Sequence, residues 1–389
     1  MKPNLFGAAT TLLLTFSIAF SYGQNGSVVI QNNVNLPKDS VTSQLISSLN
    51  GFLGQKEKLT KENTFVLKDD LLETAALLDE MKGVEQNAKL KDGGFYKPYL
   101  TNITKRDNNN FIIQLSYIGI ADNTPAIRAS FKLLAKHIDG RFYFYSALKQ
   151  NATSWKIKKA GYITYCYKDT LNAADTKEFQ KMVFLYDKKL KANKPIVLYY
   201  CDNFLEVQQM LGVEYKADYA GIISNNLTAN ENGISLIVNG WNASRHRFDP
   251  HDLFHDRLRT VLSNDVINRP VDEGCAYLLG GSWGKSWTEI LTLFKAYAKE
   301  NPNADWLQLY IDAKNYSDDG GKILKVSYAI NALIAQQLEK EKGFAAVMEL
   351  LSCGKKEKGD ENYFKALAKL TGINKADFNS KVWNLIKAS

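Results

Sequence analysis

The hydrophobic period changes along this chain, and the order of the changes limits the folds open to it. Helical spacing comes first, over residues 41–53 and again over 69–81. A period of two follows, which predicts four strands separated by short turns. These strands cover residues 99–103, 111–120, 126–138 and 141–148. Two helices followed by an antiparallel meander predict a helix-on-sheet α+β domain over residues 40–153.

After residue 153 the strands alternate with helices, and the pattern then becomes helical. The sequence predicts a strand ending at Tyr167, with further elements over 179–190 (helix), 196–200 (strand), 204–211 (helix), 220–223 (strand) and 234–238 (strand). From residue 249 to the C-terminus all spacing is helical. A second domain over residues 154–389 is therefore expected, with a small sheet followed by helices. Two domains also suit a length of 389 residues.

The first residues are typical of an export signal. Lys2 precedes an uncharged apolar run over residues 5–20, and small residues close the segment near Gly23. The run is shorter than the roughly 20 residues that a membrane-spanning helix needs. We therefore expect a signal peptide over residues 1–23, a flexible lead-in over 24–39, and a periplasmic or secreted protein with no stable membrane anchor after signal removal.

Charge and cysteine content narrow the class of partner. The net charge is +8, but basic residues are spread among acidic ones without a long basic run, which argues against a nucleic-acid partner. The four cysteines are too scattered for a disulfide framework or a cysteine-based zinc site. Cys166 and Cys201 both lie in strand-like runs, so a bridge between them stays open.

Histidines are rare in this chain, and they are clustered. The sequence has four, and three of them fall between residues 246 and 255. Asp249-Pro250 is a helix-start signal, because an acid caps the helix and proline suits its first position. His251 and His255, four residues apart, would then share one helix face and could bind one metal ion. The alternative is two surface histidines at a common spacing.

A carboxylate follows in a second predicted helix. Pro270 can open this helix and would place Glu273 in its first turn. Two histidines and one glutamate leave a fourth coordination position for water, which is the arrangement of a hydrolytic zinc site. The sequence therefore predicts Zn²⁺ held by His251, His255 and Glu273.

These residues resemble a known family, the gluzincin zinc metallopeptidases with their peptidase MA-like, aminopeptidase N-like catalytic domain. That family carries His-Glu-x-x-His on one helix and the third ligand in a Glu-Gly-x-Ala-x-x-Leu setting, which here begins at Glu273. The resemblance covers roughly residues 156–389. It implies a zinc-dependent hydrolase acting on a peptide or protein substrate, with residues 234–238 as the substrate-pairing edge strand. It also implies an oxyanion-stabilising role for Tyr328, for which ordinary helix packing is the alternative.

One position departs from the family pattern. Asp252 stands where the family has the glutamate that accepts a proton from water, and its side chain is one methylene shorter. A misplacement of about 1 Å can cost on the order of a hundredfold in rate. Alternatively, Asp252 only stabilises the helix dipole.

Three functions therefore stay open. The first is a zinc peptide hydrolase with Asp252 as base and Tyr328 at the oxyanion. The second is a catalytically silent zinc-binding homologue that binds peptides or exported partners. The third is a structural or interaction protein whose N-terminal domain is the working part. The remaining residues of interest carry no predicted chemistry: His246 as a solvated loop residue, His137 as an exposed strand-end residue, and Trp283, Trp287, Trp306 and Trp383 in helical packing.

Overall fold

The first sheet is antiparallel over most of its width. A computed structural model of the chain describes residues 27–31, 34–241 and 247–389. In this part the sheet has six strands in the order β1-β2-β3-β4-β5, with β9 also paired to β4. The strands are β1 (Val29–Ile30), β2 (Lys97–Lys105), β3 (Asn110–Ala121), β4 (Thr124–Ile138), β5 (Arg141–Tyr145) and β9 (Val213–Lys216). The helices of this half are α1 (Ser40–Gly54), α2 (Leu71–Met81) and α3 (Leu148–Asn151).

Helix α1 covers one face of this sheet. It begins where the side chain of Asp39 accepts a hydrogen bond from the backbone N–H of Thr42, which satisfies a free donor of the first turn. Leu45, Leu49 and Phe52 are fully buried against the alternate residues of the strands. Phe52, for example, packs on Phe144 of β5 with ring centroids 5.1 Å apart. This is the helix-on-sheet layer that the sequence predicts.

The second sheet mixes parallel and antiparallel strands, in the order β10-β11-β8-β7-β6. The central strands β7, β8 and β11 are parallel, and the outer strands β6 and β10 are antiparallel. The strands are β6 (Lys156–Ala160), β7 (Ile163–Tyr167), β8 (Ile196–Tyr200), β10 (Asn226–Glu231) and β11 (Ile234–Asn239). Their connecting helices are α4 (Ala173–Leu190) and α5 (Phe204–Leu211).

The C-terminal part is helical apart from one hairpin. Its helices are α6 (Pro250–Arg259), α7 (Arg269–Gly280), α8 (Trp287–Glu300), α9 (Trp306–Ile311), α10 (Val326–Lys342), α11 (Phe344–Leu351), α12 (Glu361–Thr371) and α13 (Phe378–Ala388). The hairpin consists of β12 (Asn315–Asp319) and β13 (Lys322–Lys325). The largest apolar core of the described residues joins α4, α6, α7 and α10 to one face of the second sheet. The whole is an α+β fold.

Helix α2 connects the two sheets. Ala75 and Ala76 lie in the apolar layer on the second sheet, while Leu77 and Leu78 lie in the core of the first. Near the end of the helix the buried carboxylate of Glu80 accepts a hydrogen bond from Lys216 Nζ at 2.7 Å. Strand β9 follows β6, β7 and β8 of the second sheet in the sequence. It nevertheless pairs with β4 and so belongs to the first sheet.

Three predictions about secondary structure were wrong. Residues 220–223 form a turn rather than a strand, after a short helical turn over Ala217–Tyr219. The last predicted strand of the meander ends at Tyr145, and the final residue of the predicted range, Leu148, starts α3 instead. The helical run after residue 249 is interrupted by the β12–β13 hairpin, because Gly320 and Gly321 at its tip adopt the positive φ that a tight turn needs.

Strand β11 is also not the edge strand that the resemblance implied. It lies between β10 and β8, so β10 forms the edge of the sheet.

His137 is half-buried rather than exposed, and its ring stacks on Phe142 with centroids 4.6 Å apart. The predicted signal peptide and His246 lie outside the described residues. All four cysteines are free thiols. Within the described ranges, no helix has the length and apolarity to cross a membrane.

Candidate metal centre

Helix α6 starts where the sequence predicts. Asp249 caps it, its side chain accepting a hydrogen bond from the backbone N–H of His251 at 2.9 Å, and Pro250 occupies the first turn. Proline is favoured at this position because the backbone N–H that it lacks would have no hydrogen-bond partner in the first turn of the helix. His251 and His255 consequently project from the same face of the helix.

Helix α7 approaches α6 closely enough to bring the third candidate ligand to the histidines. At the end of α7, a Cβ on Gly280 would lie 2.6 Å from the backbone nitrogen of His251. On its other side, a Cβ on Gly274 would lie 2.6 Å from the Cβ of Asn331 in α10. The buried hydroxyl of Tyr186 lies between the two helices, within 3.2 Å of carbonyl oxygens at the start of α6 and the end of α7. Gly280 therefore allows α7 to approach α6 closely, and Gly274 allows α7 to approach α10.

The three side chains meet at one point. The Nε2 atoms of His251 and His255 are 3.1 Å apart, Glu273 Oε2 is 3.3 Å from the first, and Glu273 Oε1 is 3.8 Å from the second. Tetrahedral zinc with bonds near 2.1 Å separates its ligand atoms by about 3.4 Å. His255 and Glu273 are buried, and His251 is half-buried. This group could hold a metal ion, and we call it the candidate metal centre.

The outer nitrogens of both imidazoles are already engaged. His251 Nδ1 lies 2.7 Å from the carbonyl oxygen of Gly281, and His255 Nδ1 lies 2.6 Å from Asp272 Oδ1. A carbonyl and a carboxylate only accept hydrogen bonds, so each Nδ1 donates and carries a proton. The Nε2 atoms therefore face the centre. Partners of this kind are typical of metal-binding histidines, because they fix the tautomer and orient the ring.

Electrostatics make the centre attractive to a cation. Two Nε2 atoms and a carboxylate face one another, and a proton can relieve their repulsion where no metal ion is bound. Burial disfavours a charged imidazole, but the hydrogen bond and charge of Glu273 outweigh it and raise the pKa of His251. Burial likewise opposes ionisation of Glu273, but the hydrogen bond from His251 and the charges of His255 and Arg269 hold its pKa at about 2.

Asp252 lies in the first turn of α6 but does not belong to this group. It is half-buried, and its carboxylate makes no hydrogen bond within the described part of the chain. Burial, and then the charge of Asp249, raise the pKa of this carboxyl, while the two imidazoles oppose the shift. Asp252 thus lies next to the candidate ligands in the sequence, and no residue of the described ranges holds its carboxylate by a hydrogen bond.

Tyr328 lies in the first turn of α10, next to Tyr277. The ring of Tyr277 is 5.9 Å from His251 and 5.6 Å from the ring of Tyr328, between centroids. Burial, followed by the charge of Glu273, raises the pKa of Tyr328, while the charge of Arg269 and a hydrogen bond to it oppose this. Tyr328 is therefore connected to Glu273 through a guanidinium.

Sequence reasoning missed two side chains that hold the candidate ligands. Asp272 orients His255, and Arg269 forms ion pairs with both Glu273 and Asp272. A signal for Asp272 was present, since a second acid directly before a carboxylate ligand is well placed to reach a neighbouring histidine. Arg269, four residues before Glu273, follows the spacing of a helical ion pair.

The edge strand β10 runs beside α6. Asp256, on the turn after Asp252, is buried against this strand, and its carboxylate makes a hydrogen bond with Thr228. Burial above all, with the charge of Asp252, raises the pKa of Asp256 to about 7, against the charge of Arg259. Among the described residues β10 pairs only with β11, so its outer backbone groups are unpaired with any strand.

Comparisons with protein-family models, curated proteins and solved structures found no match to this chain. The resemblance to gluzincins consequently depends on the motif residues alone. The site geometry must carry any functional argument.

Proposed function

We propose that this chain is an exported, zinc-dependent peptide hydrolase of the gluzincin type. One observation carries the proposal: both histidines of the candidate metal centre donate outward from Nδ1, so that both Nε2 atoms face a buried carboxylate. Such a set of neutral nitrogen and anionic oxygen donors suits Zn²⁺. The apolar run over residues 5–20 supports export.

Different residues of the chain would carry out different parts of the proposed reaction. When bound, zinc would supply Lewis-acid polarisation of a substrate carbonyl and of water. Asp252 would accept the proton of the attacking water and pass it to the leaving amine, since its carboxylate lies in the same turn as His251 and is affected by the charges of both histidines. Tyr328 would donate a hydrogen bond to the carbonyl oxygen as negative charge develops there. Arg269 would hold Glu273 and Tyr328 in their relative positions.

An extended peptide has a place to bind along β10. No strand of the described residues pairs with the outer side of β10, and α2 packs against the strand through Ala75 and Ala76; a peptide in the β conformation would pair with the backbone along this outer side. Asp256 and Thr228 place the strand next to the helix that carries the histidines. Recognition through the backbone would orient the substrate without demanding particular side chains at every position.

A second candidate function is a catalytically silent metal-binding homologue that holds peptides or exported partners. The observation that favours it is Asp252, whose shorter side chain lies outside the metal-binding group. Every other part of the centre would be unchanged in such a protein. The two candidates therefore differ at one residue, and an experiment can separate them.

Metal analysis of the purified protein tests the shared part of both candidates. We expect one zinc per chain in the wild type and loss of zinc in His251→Ala and Glu273→Ala, because two remaining protein ligands are too few for a tight site. His137→Ala is the matched control, since this histidine stacks on Phe142 in the first sheet. A wild-type protein that binds no transition metal, or variants that retain it, would refute the proposal.

Substitution of Asp252 separates the hydrolase from the silent homologue. Asp252→Asn should keep zinc but abolish chelator-sensitive peptide cleavage, because an amide cannot accept the proton. Asp252→Glu should keep or raise cleavage by restoring the longer reach. If wild type shows no chelator-sensitive cleavage, the silent homologue is favoured. If Asp252→Asn cleaves as fast as wild type, Asp252 is not the base.

A further inference from the structure

Arg269 lies against the candidate metal centre and is open to solvent. One nitrogen of its guanidinium contacts Glu273 Oε1, and another is 3.4 Å from Asp272 Oδ2. Glu273 is a candidate ligand, so a single carboxylate separates the guanidinium from the metal position, a distance of about 5–7 Å. The side chain of Arg269 is 54 % exposed, whereas those of Glu273 and Asp272 are 9 % and 2 % exposed. Part of a guanidinium with five donors is therefore accessible to a ligand that enters from solvent.

A second cation lies beside Arg269. Lys325 directly precedes α10, and its Nζ is 5.4 Å from the ring centroid of Tyr328, which forms a hydrogen bond with Arg269. The backbone of Lys325 also forms a hydrogen bond with the hydroxyl of Tyr277, whose ring contacts His251. Within the part of the chain that the structure describes, no acid forms an ion pair with Lys325. An ion pair within α7 accounts for the position of Arg269, but no such pair accounts for Lys325.

The start of α10 favours an anion at the same place. Tyr328 lies in the first turn of this helix, which has no capping side chain and no acidic residue. The positive end of the helix dipole is therefore not compensated by a side chain there. Two cations and the helix dipole consequently give the potential around Tyr328 the same sign.

We propose that Arg269 and Lys325 form a subsite that binds a carboxylate of the peptide, one residue beyond the bond to be cleaved. This inference rests on the proposed hydrolase function and adds the substrate class to it. The terminal carboxylate of a peptide follows the last peptide carbonyl by one residue, or about 4 Å. With that carbonyl at the metal position, the carboxylate reaches the guanidinium and accepts charge-assisted hydrogen bonds from it. An acidic side chain on the same residue offers the same chemistry one bond farther away.

Thiol probes test the subsite without requiring turnover. 3-Mercaptopropionate binds zinc through its thiolate and presents a carboxylate at the spacing of a peptide terminus, whereas 3-mercaptopropionamide presents a neutral amide. With zinc-loaded wild type, calorimetry should show the acid binding about 10–100-fold more tightly than the amide. 4-Mercaptobutyrate, one methylene longer, has the spacing of an aspartate side chain. Tighter binding of the shorter acid identifies the terminal carboxylate as the ligand, and tighter binding of the longer acid identifies a side chain.

Variants of the two cations complete the design. Arg269→Gln should reduce the preference for 3-mercaptopropionate over its amide to below about threefold, and Lys325→Gln should reduce it in part. The preference is a ratio measured in zinc-saturated protein, so weaker zinc binding in Arg269→Gln affects both probes alike. Lys322→Gln, at an exposed position of β13, is the matched control and should keep the wild-type preference.

The outcomes separate this inference from the metal centre on which it rests. Equal binding of acid and amide by wild type overturns the subsite, and so does a full preference in both Arg269→Gln and Lys325→Gln. In each case the binding of the amide probe shows that the metal centre stands. If the amide probe fails to bind zinc-loaded wild type, the metal centre itself is refuted.

Discussion

Replacement of Gly280 by alanine tests whether helix contact assembles the candidate metal centre. The added Cβ would lie 2.6 Å from His251 N and 2.6 Å from Pro250 C, both backbone atoms that cannot rotate away. Ordinary contact begins near 3.4 Å, so the start of α6 must retreat by about 0.8 Å. The retreat carries His251 away from Glu273 on α7.

Two effects of opposite sign decide the stability of this variant. Alanine in place of glycine favours a helix by about 0.5–1 kcal/mol. Overpacking against backbone costs about 1–3 kcal/mol. We therefore expect a net loss of about 1–2 kcal/mol in the metal-free protein. Metal sites tolerate ligand displacements of about 0.2 Å, so a shift several times larger should weaken zinc binding by at least about a hundredfold.

Gly54→Ala provides the matched control. Gly54 is also the last residue of its helix, α1, but a Cβ there would meet no atom within 4 Å. It should therefore be neutral or slightly stabilising and leave zinc affinity unchanged. The measurements are urea unfolding of the metal-free proteins and zinc competition against a chromophoric chelator. If Gly280→Ala matches Gly54→Ala in both, close helix contact does not set the ligand geometry.

Three further predictions concern individual side-chain contacts. Asp272→Asn should weaken zinc binding about 10–100-fold, measured by the same competition, because His255 loses a charged acceptor; unchanged affinity would exclude an orienting role. Asp187→Ala should lower unfolding free energy by about 3–5 kcal/mol, since it leaves the fully buried Arg257 unpaired, and removal of both should cost less than the sum. Ser286→Ala should cost about 1 kcal/mol through loss of the capping box of α8, with zinc content unaffected.

The sequence predicted which three side chains meet at the candidate metal centre because its signals there are local. Asp249 and Pro250 specify the start of α6, and Pro270 opens α7, so both helices begin within a residue of the expected positions. Once these starts are known, the spacing of His251 and His255 follows from helix geometry. The meeting with Glu273 was inferred from the motif, and the structure brings the three side chains together.

The sequence could not predict features that depend on distant contacts. Strand β9 pairs with β4 across more than 75 positions of sequence, and no local pattern specifies that pairing. The hairpin β12–β13 is short and rich in polar residues. Its alternation of apolar and polar residues therefore covers too few positions to distinguish the hairpin from a loop. Trp283 was wrongly predicted to pack within a helical region because helices precede and follow it, whereas its own backbone is in the left-handed conformation of a turn.

The groups that accept hydrogen bonds from the Nδ1 atoms of His251 and His255 are stronger evidence for a metal site than the two histidines alone. A buried carboxylate such as Asp272 is costly unless a charged or hydrogen-bonding group compensates it, and here that group is His255. A chain with no cation to bind would lose little by replacing such a cluster with apolar side chains. Asp252 takes part in none of these hydrogen bonds. The hydrolase and the silent homologue proposed above would therefore share the candidate metal centre and differ only in the base.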